Sequence, residues 1–156
     1  MHGKGFTAPF PAYKLIVMQD ICFQIVELEE QTYHPLVKAE FSGLEDHWWI
    51  VDTGASKSVF DEALNDYYTP DNKDSVMATG LGKEMVETNS GKLALFQLGG
   101  INFGSLKVAL VDFRHINTEY AKFSDKRIVG LIGCDFLYGH KAILDFDKKV
   151  ISLITS

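Results

Sequence analysis

The stretch Trp48-Trp49-Ile50-Val51-Asp52-Thr53-Gly54-Ala55-Ser56 decides the fold. Side chains alternate between the faces of an extended strand, so Trp48, Ile50 and Asp52 share one face and Trp49 and Val51 the other. A carboxylate thus follows two large apolar side chains toward the interior, where an ionised acid needs hydrogen bonds or a neighbouring charge to be tolerated. The residues that come next suit a sharp loop. Thr53 supplies a hydroxyl, Gly54 removes Cβ crowding, and Ala55 and Ser56 are small, so backbone N–H groups can turn inward and hold the carboxylate without a cation.

Outward from this loop the chain reads as short strands separated by turn signals. Runs rich in β-branched and aromatic residues predict strands over Tyr13 to Asp20 and Ile21 to Glu29, the second with Cys22, Gln24, Val26 and Leu28 on one side. A pair from about Pro35 to Phe41 and from His47 to Asp52 reads as a hairpin turning at Ser42 to Asp46. Phe60 to Tyr68 is compatible with one or two helical turns ended by Pro70-Asp71-Asn72. Between Val76 and Leu98, Gly80-Leu81-Gly82 and Asn89-Ser90-Gly91 read as turns. Strands follow over Lys92 to Leu98, Leu106 to Phe113, Arg127 to Ile132 and Ala142 to Asp145, the last forming a hairpin with Val150 to Ile154. Helix is limited to Asn117 to Phe123 and Cys134 to Tyr138. This spacing predicts a mostly β, closed barrel-like domain rather than alternating βαβ units. Pro9 and Pro11 make residues 1–12 an N-terminal arm, leaving 13–156 as a single domain.

Composition agrees. A chain of 156 residues with 46% hydrophobic and 23% charged residues is ordinary for a globular protein. At that size roughly 69% of the unfolded surface is buried on folding, enough for one core without staples. The net charge of −6 and the absence of Lys/Arg clusters argue against nucleic acid as a partner. No run approaches the length of a membrane span or a secretory leader, so a cytoplasmic protein is expected. The only cysteines, Cys22 and Cys134, are too few for a disulfide framework and read as reduced core thiols.

The loop resembles the active-site signature of aspartic peptidases, in particular the retropepsin-like branch typified by retroviral proteases, and bacterial single-domain members within it. Three further matches occur in the family's order. Met77-Ala78-Thr79-Gly80-Leu81-Gly82 resembles the glycine-rich tip of the flap hairpin. Gly130-Leu131-Ile132-Gly133-Cys134-Asp135-Phe136-Leu137 resembles the second signature, two hydrophobic residues and a glycine entering a short helix. Ala142 to Val150 resembles the closing hairpin. The resemblance runs from about Tyr33 to Leu153, and it implies a retropepsin fold in which the strand carrying Leu131, Ile132 and Gly133 threads beside the active-site loop.

It also implies a function. Peptide hydrolysis by this chemistry uses two carboxylates sharing one proton, one drawing a proton from water and the other protonating the scissile carbonyl. The chain has one Asp-Thr-Gly, so the resemblance implies a homodimer whose two Asp52 side chains meet on the two-fold axis. Asp52 is then catalytic. Thr53, Gly54, Ala55 and Ser56 form its loop, with the Thr53 hydroxyl crossing to the partner's loop. Thr79, Gly80, Leu81 and Gly82 cover a peptide or protein substrate, and Leu131, Ile132 and Gly133 are structural. Retroviral members often carry an acid where Ser56 stands and an arginine where Cys134 stands; both are missing here, and with them that ion pair. The longer stretch His115 to Lys126 leaves room for a helix that covers the barrel or restricts the cleft. No cofactor or metal is implied: His34, His47, His115 and His140 lack zinc spacing, and Asp145 and Asp147 read as solvated turn charges. Trp48 and Trp49 read as core and cover. The competing reading is a catalytically silent peptide-binding module with the same cleft and flap.

Overall fold

The computed structural model describes residues 15–78 and 86–155, with 72–78 and 86–88 as backbone alone. The N-terminal arm 1–12 and the predicted flap tip Thr79 to Gly82 lie outside the described residues. Strands β1 (Val17–Cys22), β2 (Gln24–Glu29), β3 (Thr32–Lys38) and β4 (His47–Val51) lead to the Asp52 loop. Beyond it come β5 (Val59–Asp61), β6 (Thr69–Ala78), β7 (Val86–Leu93), β8 (Gln97–Leu98), β9 (Ile101–Asn102) and β10 (Leu106–Val111). The chain ends with α1 (Arg114–Tyr120), β11 (Arg127–Ile132), α2 (Cys134–Gly139), β12 (Ile143–Asp145) and β13 (Val150–Thr155). Among the described residues the fold is mostly β with two short helices, neither long and apolar enough to cross a membrane.

An eight-stranded sheet in the order β2-β3-β4-β11-β5-β10-β7-β6 faces a three-stranded sheet β1-β13-β12 and a small β8-β9 hairpin. Between them lies a core of Val37, Trp49, Phe60, Leu93 and Val129 from the large sheet, with Leu98 of β8 and Ile151 and Leu153 of β13. Trp49 sits at its centre, fully buried, its ring 5.5 Å from Phe60 and edge-on to Phe96 at 5.3 Å. The opposite face of the same central strands carries Leu36, Ile50 and Ile128, covered by Phe113 and by Tyr120 of α1. β4 is therefore buried on both sides, as its unbroken apolar run requires.

The crossing that positions the site is β11, which lies between β4, parallel to it, and β5, antiparallel to it. The chain leaves β4, loops over the end of β11 and returns as β5, so the Asp52 loop straddles that strand. Close approach there excludes side chains: a Cβ on Gly130 would stand 2.0 Å from the Val59 carbonyl oxygen and 2.7 Å from the Trp49 ring.

Several local expectations are corrected. The first two strands break at Phe23, whose N–H donates to the Lys149 carbonyl at 3.0 Å, because β1 pairs with β13 while β2 joins the large sheet. Phe23 is buried in the main core, and Cys22 beside it is exposed rather than a core thiol. β3 begins at Thr32, where the chain turns through Gln31 at φ 63°. Phe60 to Tyr68 holds β5 and turns but no helix, and Pro70 stands in β6, the outermost strand of the sheet, where a missing ladder donor is tolerated. Asn89-Ser90-Gly91 is no turn; it lies inside β7, with Gly91 opposite Val108. A Cβ on Gly91 would meet the Tyr68 ring at 2.9 Å, so this glycine makes room for a neighbour instead of bending the chain. The strand predicted over Lys92 to Leu98 is split between β7 and β8, and a two-residue turn at Gly99 and Gly100, both with positive φ, leads into β9. The helix expected from Asn117 begins earlier, at Arg114.

Candidate active site

Asp52 follows directly on β4, and its N–H donates to the Ile132 carbonyl of β11 at 2.9 Å. The loop then folds back on itself. The Ala55 N–H reaches the Asp52 carbonyl at 3.2 Å, and the Gly54 N–H donates to Asp52 Oδ1 at 2.9 Å. The carboxylate is held by a backbone donor, as the loop composition predicts, but it is half-buried rather than enclosed. The reason is its place just beyond the last paired residue of β4, where the sheet ends and a cavity begins. Among the described residues no cation pairs with it. Thr53, Gly54 and Ser56 are exposed at the loop apex.

The second signature anchors this loop from below. Leu131 pairs with Ile50 and Ile132 with Val51. The Cys134 N–H donates to the Ala55 carbonyl at 2.8 Å, and the Cys134 thiol to the Thr53 carbonyl at 3.0 Å. Gly133 is mandatory, since a Cβ there would lie 2.6 Å from the Lys57 carbonyl carbon and 2.8 Å from the Ala55 oxygen. Fully buried Ser58 completes the clamp: its hydroxyl accepts from the Gly133 N–H at 3.0 Å and donates to Asp135 Oδ1 at 2.8 Å, which also takes the Ser58 N–H at 2.9 Å. Asp135 is thus committed to holding the loop.

Asp52 and Thr53 border a cavity of about 460 Å³. Ile50 and Leu131 line it from the sheet, Pro35 and His34 from β3, Ile116 and Tyr120 from α1, and Leu144 and Phe146 from the closing hairpin. The Tyr120 hydroxyl is hydrogen-bonded to His34 Nδ1. Burial pushes the Tyr120 phenol well above its ordinary value, so it stays protonated.

These features meet in one family. The sequence model described as "Aspartyl protease" matches residues 37–136, more than half the chain, and takes in the Asp52 loop, β11 and the start of α2. The chain belongs to the aspartyl protease family. No curated protein matches it significantly. Among solved structures it is similar to a retropepsin-like aspartic protease from Rickettsia conorii, at 14% identity and a TM-score of 0.47 over 90% of this chain and 92% of that one. It is also similar to the retroviral protease-like domain of Ddi1 from Leishmania major, at 14% identity and a TM-score of 0.40 over 85% and 87% of the two chains.

Within this aspartyl protease the tertiary structure brings together Asp52, Thr53, Gly54 and Ala55 with Leu131, Ile132 and Gly133. Ser56 is exposed at the apex. Asp145 accepts from the Lys148 N–H at 2.9 Å, shaping the closing turn. Trp49 is core, while Trp48 on the outer face lies under Lys126, whose ammonium stands 5.2 Å from its ring centre. Sequence reasoning missed Ser58, His34, Ile116 and Tyr120. The last two had a signal: they stand four apart, and so on one face, in a stretch already suited to a helix. Ser58 had none, because its role depends on a partner 77 residues away.

Proposed function

We propose that this aspartyl protease is an endopeptidase that hydrolyses peptide bonds with water activated by two Asp52 carboxylates, one from each subunit of a homodimer. The observation that supports this reading is the division of labour between Asp52 and Asp135. Among the described residues Asp52 borders the cavity with one backbone donor and no paired cation, whereas Asp135, two residues past Gly133 of the second signature, is spent on Ser58. Asp52 is the one carboxylate lining this cavity among the described residues, and in this reading the second comes from a second copy.

In the dimer the two carboxylates share a proton, because like charges about 3 Å apart cannot both ionise. The ionised member draws a proton from water as it attacks the scissile carbonyl, and the protonated member donates to the carbonyl oxygen. On collapse of the tetrahedral intermediate the carboxyl that took the water's proton passes it to the leaving nitrogen, the other carboxylate takes back a proton from the intermediate's hydroxyl, and the amine departs with no acyl-enzyme. Gly54 N–H keeps one oxygen of Asp52 fixed. The exposed Thr53 hydroxyl at the apex is free to bond the partner's loop, and Thr79, Gly80, Leu81 and Gly82, between β6 and β7, cover the substrate.

The test is cleavage of a diverse peptide mixture by the wild type and Asp52→Asn, from about pH 3 to 7 and at rising protein concentration. Asparagine keeps an oxygen for the Gly54 N–H, so the fold is preserved. Cuts absent from the mutant, with specific activity rising as protein is added, are expected. No Asp52-dependent cuts at any concentration would replace this reading with a silent peptide-binding module.

A further inference from the structure

We propose that Cys134 is a positioning residue for the reaction: its thiol, acting through the Thr53–Gly54 peptide, aims and strengthens the backbone N–H that holds the Asp52 carboxylate. The inference rests on the peptidase reading for the reaction it serves. It begins with a covalent fact, that the Thr53 C=O and the Gly54 N–H belong to one planar trans amide and point in opposite directions. The N–H end donates to Asp52 Oδ1 at 2.9 Å, and the C=O end accepts from the Cys134 thiol at 3.0 Å. Turning this plane moves both ends together.

The other contacts of the loop act on different amides. The Ala55 N–H returns to the Asp52 carbonyl at 3.2 Å, and the Cys134 N–H reaches the Ala55 carbonyl at 2.8 Å, so the amides before and after are held by backbone bonds. Among the described residues the Thr53–Gly54 amide is tied only to the thiol and to the carboxylate. Residue 54 cannot stiffen it, because a Cβ there would crowd Asp52 Oδ1 at 3.1 Å, and the freedom that glycine brings is restrained from outside. Cys134 is within reach because Gly133, bare where a Cβ would meet Lys57 and Ala55, seats the start of α2 against the loop. A donor on the carbonyl also polarises the amide, so the N–H at its far end binds an anion more firmly. The thiol therefore favours the ionised form of Asp52 without touching it.

The experiment compares Cys134→Ala with Cys134→Ser in the full chain, each alone and combined with Asp52→Asn. Serine keeps a donor where alanine has none, and both are smaller than cysteine, so the pair separates hydrogen bonding from packing. Asparagine keeps an oxygen for the Gly54 N–H but no charge, and a bond to a charged acceptor is roughly twice as strong as a neutral one. The shift in urea midpoint from Cys134→Ala, at one fixed pH and protein concentration, should thus shrink by about half in the Asp52→Asn background, and Cys134→Ser should shift it little in either. In cleavage, Cys134→Ala should lower kcat about tenfold with KM within about twofold, short of the roughly hundredfold that a misplacement of about 1 Å costs. The acid limb of its kcat/KM profile should move to higher pH, since a carboxylate that loses a donor is more readily protonated, and Cys134→Ser should restore both. Equal midpoint shifts in the two backgrounds, or serine no better than alanine, would overturn the proposal. Coupling in the unfolding assay without Asp52-dependent cleavage would instead overturn the peptidase reading and leave the positioning role standing.

Discussion

Ser58 joins the two halves of the site, and its removal has a calculable consequence. The side chain is fully buried, donating to Asp135 Oδ1 at 2.8 Å and accepting from the Gly133 N–H at 3.0 Å. Ser58→Ala deletes both bonds and leaves the Ser58 N–H to Asp135. A buried Gly133 N–H without a partner costs about 1–3 kcal/mol, and the lost hydroxyl–carboxylate bond adds about 1, no more, because Asp135 itself is exposed. The expected loss is about 2–4 kcal/mol. For a chain of this size that lowers Tm by about 5–15 °C. Urea and thermal unfolding at one fixed protein concentration measure it, since in the proposed dimer dissociation would otherwise shift the midpoint. Exposed Ser56→Ala, in the same loop, should change stability by no more than about 0.5 kcal/mol. A cycle with Asp135→Asn should show coupling of at least about 0.5 kcal/mol. A loss below about 1 kcal/mol for Ser58→Ala would refute the claim that this hydroxyl clamps the loop to β11.

Gly130→Ala places a methyl group 2.0 Å from the Val59 oxygen, so β5 and β11 cannot both hold their register. The loss should exceed about 4 kcal/mol, read as failure to give a cooperative transition in circular dichroism. Trp49 Nε1 is buried with no partner among the described residues, so Trp49→Phe removes a stranded donor while opening a small void. The two effects oppose one another, and the net change should stay within about 1.5 kcal/mol, against about 3–5 for Trp49→Ala, in the same unfolding assay. His47 is held below its ordinary pKa by burial first and by Arg127 second. Its folded-state pKa lies below the unfolded value of about 6.5, so its contribution is fully present above that pH and is lost as pH falls through the folded pKa. Between about pH 7.5 and about pH 5.5, one unit either side of that value, the urea midpoint should fall less in His47→Gln than in the wild type.

Much of this was legible in the sequence because the signals were local. The alternation around Trp49 and the glycine and small residues after Asp52 each follow from what a short segment can do by itself. Errors fell where a residue answered to a distant neighbour. Asn89-Ser90-Gly91 has the composition of a turn, yet the Tyr68 ring and β10 hold it as a strand. Phe60 to Tyr68 has the composition of a helix, yet Phe60 is drawn between Trp49 and Tyr68 in the core. Cys22 looked apolar enough to be core, but the change of sheet at Phe23 turns it to solvent.

By itself the sequence determined the strand-rich class and the position and backbone support of Asp52, since these rest on backbone geometry and on residues close along the chain. The tertiary structure alone decided how open Asp52 is, which acid is used up by Ser58, and that α1 walls the cavity beside it. Those facts depend on β11 threading between β4 and β5 and on a helix packed across the sheet, contacts between segments far apart in sequence whose geometry no local pattern encodes.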